Sequence, residues 1–216
     1  MESESVVIIG SSGHAKVVIE LLWAEGRYQI LGCTGLAESG LILGKVRVLG
    51  TDTILPALLA RGIKRAFVAI GDNRLRLRLL RQVSEMGFEL INAVSPNAVV
   101  SPSATLHSGI AIMAGAIINA SAQIGDGVII NTNAGVDHDC IIGTCAHIGP
   151  GSAVAGNVDV GREAFLGAGT CVVPGVRIGC RAIIGAGSVV VRDIPDDVTA
   201  MGVPARITGG VQAPTP

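Results

Sequence analysis

Aromatic side chains are nearly missing from this chain: one Trp, one Tyr and three Phe among 216 residues. With so few rings there is no stacking platform for nucleic-acid bases. Neither sign of charge prevails, since 16 Lys and Arg stand against 17 Asp and Glu for a formal net charge of -1. No basic cluster is present to track a phosphate backbone, and a nucleic-acid partner is excluded. The five cysteines (Cys33, Cys140, Cys145, Cys171, Cys180) are odd in number and lack the pair spacing of metal sites. They read as reduced thiols of a reducing compartment. No secretory leader is expected in these residues: MESESVVIIG carries acids where a leader carries bases, and its apolar run is four residues long before Gly10. Together these features predict a cytoplasmic protein.

Residues 101–125 contain no Asp, Glu, Lys or Arg, a length that invites comparison with a membrane span. Asn119, Ser121 and Gln123 interrupt the stretch, and a shorter period runs through it unbroken, so no span is expected. Every sixth residue from position 100 to position 190 is Val, Ile or Leu, sixteen positions in succession. Four residues after each stands a small or slim side chain, among them Ala116, Ala134, Cys140, Ala146, Ser152 and Ala164. Six matches neither the helical 3.6 nor the strand period of two, but it is the repeat of parallel β-helices. Each hexad is then one short strand and a corner, three hexads close one triangular coil, and the run makes about five coils. The aliphatic residue fills the prism. Gly often follows it from Ile124 onward, as in Gly125, Gly143, Gly149, Gly161, Gly167, Gly179 and Gly185, and is expected to take backbone angles that a Cβ forbids. Cys140, at a small inward place, reads as filler.

Before the hexads the pattern is different. Val6-Val7-Ile8-Ile9 reads as a buried parallel strand, followed by Gly10-Ser11-Ser12-Gly13-His14 and then Val17, Val18, Leu21 and Leu22 at helical spacing. Strand, Gly-containing turn and helix open a nucleotide-binding α/β unit, because free N–H groups at the helix start suit a phosphate. The turn is G-x-x-G and lacks the full dinucleotide fingerprint. Residues 29–33 predict a second strand, 53–60 a helix, 65–70 a strand ending at Gly71-Asp72-Asn73, and 88–94 a last strand. Residues 74–86 predict an amphipathic helix with Leu75, Leu79, Leu80 and Val83 inward, and Arg74, Arg76, Arg78 and Arg81 on a solvated face. Alternating strands and helices predict a parallel sheet, whose ligands sit beyond the carboxyl ends of its strands, where both Gly-containing turns lie. The expected organisation is a Rossmann-like α/β domain over 1–95, a β-helix over 96–194 and a C-terminal extension over 195–216, ending in a polar, Pro-rich, disordered tail.

Five stretches carry a family resemblance: Gly10-Ser11-Ser12-Gly13-His14-Ala15-Lys16, Ala69-Ile70-Gly71-Asp72-Asn73, Val136-Asp137-His138-Asp139, residues 183–190 and Gly202-Val203-Pro204-Ala205. The chain resembles bacterial sugar acyltransferases of the hexapeptide-repeat, left-handed β-helix type. In particular it resembles nucleotide-sugar N-acetyltransferases of the PglD and PerB kind and the related NeuD sialate O-acetyltransferases. The resemblance implies left-handed crossovers, against the usual rule, and a homotrimer with acetyl-CoA bound between neighbouring β-helices. It further implies a nucleotide-linked 4-amino-4,6-dideoxy sugar, bound by the N-terminal domain and acetylated at its amino group for cell-surface glycan synthesis.

Of four histidines (His14, His107, His138, His147), His138 stands between Asp137 and Asp139. Acyl transfer to an amine needs a group that takes a proton near neutral pH, which imidazole can do, while a carboxylate can fix its tautomer. By resemblance His138 is the general base and Asp139 its orienting partner, although some relatives carry Glu there and adjacent strand side chains point to opposite faces. A structural histidine is the competing reading. The resemblance also assigns His147, Gly156, Ala168 and Ala186 to acetyl-CoA, with the Gly156 N–H holding the thioester oxygen as it becomes negative. Gly10, Ser11, Ser12, Gly13, His14, Gly71, Asn73, Arg76 and Asn131 fall to the nucleotide-sugar, and His107 is structural. UDP-sugar members carry paired aspartates after the second strand. This chain has Cys33-Thr34-Gly35 there, so GDP-perosamine is favoured over UDP- or TDP-linked sugars. A sialate-type O-acetyltransferase is the alternative within the fold, and a zinc-dependent γ-carbonic anhydrase using His107, His138 and His147 the alternative in chemistry. No metal is expected, because these histidines lack the close spacing of a ligand set.

Overall fold

The computed structural model describes residues 4–35 and 40–210; the tail from Gln212 onward lies outside them. The chain divides into two compact units, Met1–Pro96 and Asn97–Pro216.

The first unit comprises β1 (Glu4–Ile9), α1 (Gly13–Glu25), β2 (Tyr28–Thr34), β3 (Leu41–Ile42), β4 (Val46–Gly50), α2 (Leu55–Ala60), β5 (Arg65–Val68), α3 (Asn73–Glu85) and β6 (Glu89–Leu90). The sheet order is β3-β4-β2-β1-β5-β6. Val6, Val7, Ile8 and Ile9 are all at most 1% exposed, because β1 is central and covered on both faces, which is why its apolar run does not alternate. From β1 the chain moves first toward β2 and then back past β1 to β5. The turns after β1 and β5 therefore flank the point where the strand order reverses, the place where open α/β sheets bind ligands.

Several local expectations change. The sheet is not wholly parallel: β3 pairs antiparallel with β4, a hairpin whose short alternation of buried Val46 and Val48 around exposed Arg47 is too brief to read from sequence. Val17 is exposed, and α1 buries Ala15, Val18, Ile19, Leu21 and Leu22 instead. A 3-10 turn, Asp52–Ile54, precedes α2. The last strand breaks into Glu89–Leu90 and a separate Ala93–Val94. In α3 Leu80 and Val83 are buried, Leu75 and Leu79 only half-buried. Arg76, expected on a solvated face, is 1% exposed.

The second unit is a parallel β-helix. Two-residue strands recur every six residues and pair in parallel eighteen residues apart, as in Ile130 with Ile148, Leu166 and Ile184, or Val136 with Val154, Val172 and Val190. The hexad aliphatics fill the prism from Ile112 to Val190, and only Val100 and Leu106, in the first coil, are half-buried. Polar inward residues are satisfied: the Ser152 and Thr170 hydroxyls donate to the Gly167 carbonyl at 3.0 and 2.7 Å. Cys140 is buried filler, its Sγ donating to the Ala155 carbonyl at 3.1 Å.

The repeated glycines have a different cause from the one expected. The left-handed residue of each corner comes two places later and is Gly in some coils but Ser121, Asn133, Asp139, Cys145, Asn157, Glu163 or Arg181 in others, at φ 56 to 59°. The glycine directly after the aliphatic residue is needed for close approach. A Cβ on Gly149 would lie 2.4 Å from the Leu166 oxygen, and one on Gly161 2.5 Å from the Cys180 nitrogen. Successive coils thus meet backbone to backbone.

Although the sequence period breaks after Val190, winding continues. Ile194 bridges to Ile178, Val198–Met201 pairs in parallel with Ile183–Ile184, and Arg206–Gly210 turns back antiparallel on it. No helix among the described residues is long and apolar enough to cross a membrane.

Candidate active site

His138 and Asp139 are the two turn residues of one corner. Asp139 takes φ 56°, a conformation Asp tolerates better than most residues. That single backbone departure swings its carboxylate to the same side as the preceding ring, and His138 Nδ1 lies 2.8 Å from Asp139 Oδ2. A carboxylate only accepts, so Nδ1 carries the proton and Nε2 keeps the lone pair. The imidazole pKa is raised, first by this hydrogen bond and then by the charge of Asp137. The side chain is 53% exposed, open to a reactant.

One coil above, at the same corner, lies Gly156. The Asn157 N–H donates to the His138 carbonyl at 3.0 Å. A Cβ on Gly156 would come within 2.6 Å of both His138 Cε1 and Nε2, so the glycine leaves room for the ring's reactive edge. Among the described residues no acceptor takes the Gly156 N–H, as an oxyanion donor requires.

Asn131 and His147 also meet. The Thr132 N–H donates to Asn131 Oδ1 at 2.8 Å, which orients the amide so that Nδ2 faces His147 Nε2 at 3.0 Å. Nε2 is then the acceptor, and the His147 proton sits on Nδ1. Phe165, on the adjoining strand, packs edge-on at 5.1 Å between ring centroids. The placement of Asn131 makes it a partner of His147, a link the sequence reading did not draw. Ala168 and Ala186 are exposed at one corner a coil apart, joined by the Gly187 N–H to the Ala168 carbonyl at 2.8 Å.

In the first unit the residue 10–14 turn and Gly71-Asp72-Asn73 occupy the carboxyl edge of the sheet. Gly10 adopts φ 111°, and a Cβ there would meet the Ala69 oxygen at 2.8 Å. Ser11 packs against Gly35, while Ser12 and Gly13 are exposed. His14 Nε2 is buried without a hydrogen-bond partner, and burial, then the Arg76 charge, lower the His14 pKa to about 4. Arg76 itself corrects the sequence reading. Its Nη1 donates to the Ile70 and Gly71 carbonyls at 2.9 and 3.0 Å and its Nη2 to Asn73 Oδ1 at 2.7 Å, so it shapes the turn from within. A carboxylate does stand at the end of β2 after all: Asp52, forty residues after Ser12 in sequence order, accepts from the buried Thr34 hydroxyl at 2.5 Å.

The three histidines of the zinc reading fall on different parts of the prism: His107 near Asp126 at one corner, His138 at another, His147 on a face. Among the described residues no group of three or more His, Cys, Asp or Glu side chains is arranged to hold a metal ion.

A His–carboxylate pair beside an open N–H on the corner of a hexad-built prism is an arrangement suited to acyl transfer. The PglD N-terminal domain family matches residues 5–83. PerB from Caulobacter crescentus, solved with CoA and GDP-perosamine, is 56% identical, with 95% of this chain and 97% of that one covered at a TM-score of 0.92. A histidine-to-alanine variant of the GDP-perosamine N-acetyltransferase from the same organism gives 55%, the same coverage and 0.93. The acetyltransferase domain of PglB from Neisseria gonorrhoeae, in complex with acetyl coenzyme A, gives 38% identity, 95% and 99% coverage and 0.90. The chain belongs to the PglD/PerB-like sugar acetyltransferases, and its β-helix is of their left-handed type.

Proposed function

We propose that the protein transfers the acetyl group of acetyl-CoA to the 4-amino group of GDP-perosamine, in the cytoplasm and as a homotrimer, for cell-surface glycan synthesis. The observation that carries this reading is the 2.8 Å His138–Asp139 pair facing Gly156, and the substrate follows from the 56% identity to an enzyme solved with GDP-perosamine and CoA. In the reaction the amine nitrogen attacks the thioester carbonyl carbon. The carbonyl oxygen becomes negative and takes the Gly156 N–H. His138 Nε2 accepts the proton that the nitrogen sheds, Asp139 holds the resulting imidazolium, and the proton passes to the CoA sulfur as the C–S bond breaks.

Ala168 and Ala186 line the acetyl-CoA path, with His147 turned by Asn131 toward its thioester end. The residue 10–14 turn and Gly71-Asp72-Asn73 hold the nucleotide-sugar. His14, neutral near pH 7 because its pKa lies at about 4, acts there through hydrogen bonding rather than charge. Arg76 contributes by fixing the Gly71 carbonyl and the Asn73 side chain.

The test is mass-spectrometric detection of acetylation over GDP-, UDP- and TDP-linked amino sugars and matching hydroxy sugars. GDP-perosamine is expected to be the preferred acceptor, and preference for a UDP-sugar or a hydroxyl acceptor refutes the assignment. His138→Asn is expected to lose about 10²-fold or more in kcat while staying folded; a wild-type rate removes His138 from the role of base.

A further inference from the structure

The corner that carries His138 contains a second carboxylate with its own connections. Asp137 Oδ1 accepts the His138 backbone N–H at 2.8 Å and the Asn119 Nδ2 at 3.0 Å. Asn119 lies one coil below, eighteen residues earlier, so the carboxylate is tied to two successive rungs. The coil itself does not require the first of these bonds. His138 holds the third place of its hexad, and Pro150 and Pro174 hold the same place in other coils, where they have no N–H to offer. At Gly156, again the third place, the N–H is left without an acceptor among the described residues. Two equivalent corner N–H groups therefore sit one coil apart, the lower closed by Asp137 and the upper open.

We propose that Asp137, held by Asn119, is a positioning residue of the acetyl-transfer site: it pins the His138 backbone beneath Gly156, occupies the His138 N–H so that it does not compete with that of Gly156, and steadies the imidazolium. The proposal rests on His138 acting as the base. The charged groups facing the ring are Asp139 and Asp137 from its own corner, and the coils on either side present Asn119, Gly156 and Asn157, none of them charged. The two carboxylates divide the work. Asp139 bonds Nδ1 and fixes the tautomer, whereas Asp137 bonds the main chain and acts on the ring through its field. Its own pKa is lowered by the His138 N–H and then by the Asn119 amide, so it stays ionised wherever His138 titrates.

The experiment measures kcat/KM against pH for Asp137→Asn, Asp137→Ala and Asn119→Ala, with thermal unfolding of each and His138→Asn as control. Removing the Asp137 charge makes the imidazolium less favourable, so the acidic limb of the Asp137→Asn profile is expected to move to lower pH. Asp137→Ala is expected to show the same movement with kcat reduced about tenfold, and Asn119→Ala to lose several-fold in kcat with a smaller movement. An unmoved limb in both Asp137 variants overturns the proposal, including the case in which only thermal stability falls. Full activity of His138→Asn fails separately, since it removes the base on which the proposal rests.

Discussion

Replacing Gly156 by alanine tests the site at its tightest point. Gly156 does not adopt a positive φ, so the alanine backbone is unstrained and the N–H stays where it is. What changes is the Cβ, which would stand 2.6 Å from His138 Cε1 and Nε2, whereas carbon atoms rest at about 3.5–4 Å. The ring edge must retreat by about 1 Å. Since the side chain is half-exposed, it swings outward instead of distorting the coil. A 2.8 Å bond to Asp139 does not survive such a swing in good geometry, and the largest support for the raised imidazole pKa goes with it. A misplacement of about 1 Å costs on the order of 10²-fold in rate. Gly156→Ala is thus expected to lose about that factor in kcat, to shift the acidic limb of the pH profile downward, and to change folding stability by about 1 kcal/mol or less. The assay is initial-rate CoA thiol release against pH, alongside thermal unfolding. A rate within about twofold of wild type, with an unmoved limb, refutes the placement of the reactive ring edge against Gly156.

Two further outcomes follow from the first unit. Arg76→Met leaves the Ile70 and Gly71 carbonyls and the Asn73 side chain without the guanidinium, and is expected to cost about 3 kcal/mol in urea unfolding; an unchanged midpoint contradicts the internal role. His14, with its pKa lowered from 6.5 to about 4, binds a proton more readily when unfolded. Its contribution is present in full above pH 6.5 and is lost as pH falls through the folded value of about 4. His14→Gln is expected to lose less stability than wild type over that interval, measured by urea midpoints, and equal losses disprove the shift.

The β-helix was legible residue by residue because its packing is one-dimensional: each hexad meets only the hexads eighteen residues away, so the period carries the contacts. His138 stood out for the same reason, as an exception in a regular series. Other residues were hidden by context. Arg76 sits among Arg74, Arg78 and Arg81 and looks like one more surface cation, and nothing local says that its turn directs it inward. Asp52 is remote in sequence from Thr34, and only the pairing of β2 with β4 brings them together. The purpose of Gly149 and Gly161 was misread because a close approach between coils leaves no mark that distinguishes it from a need for unusual φ.

By itself the sequence determined the prism, the α/β unit before it and the family, and it singled out His138 and Asp139 as a candidate pair, since these depend on periodicity and on short contiguous motifs. Tertiary structure decided what lies across coils and strands: that Asp139 bends back to reach Nδ1, that Gly156 makes room for the ring, that Asn119 holds Asp137, and that Arg76 fills the turn after β5. The physical reason is distance along the chain. Hydrogen bonds and close contacts between residues many positions apart depend on backbone geometry that no local pattern encodes.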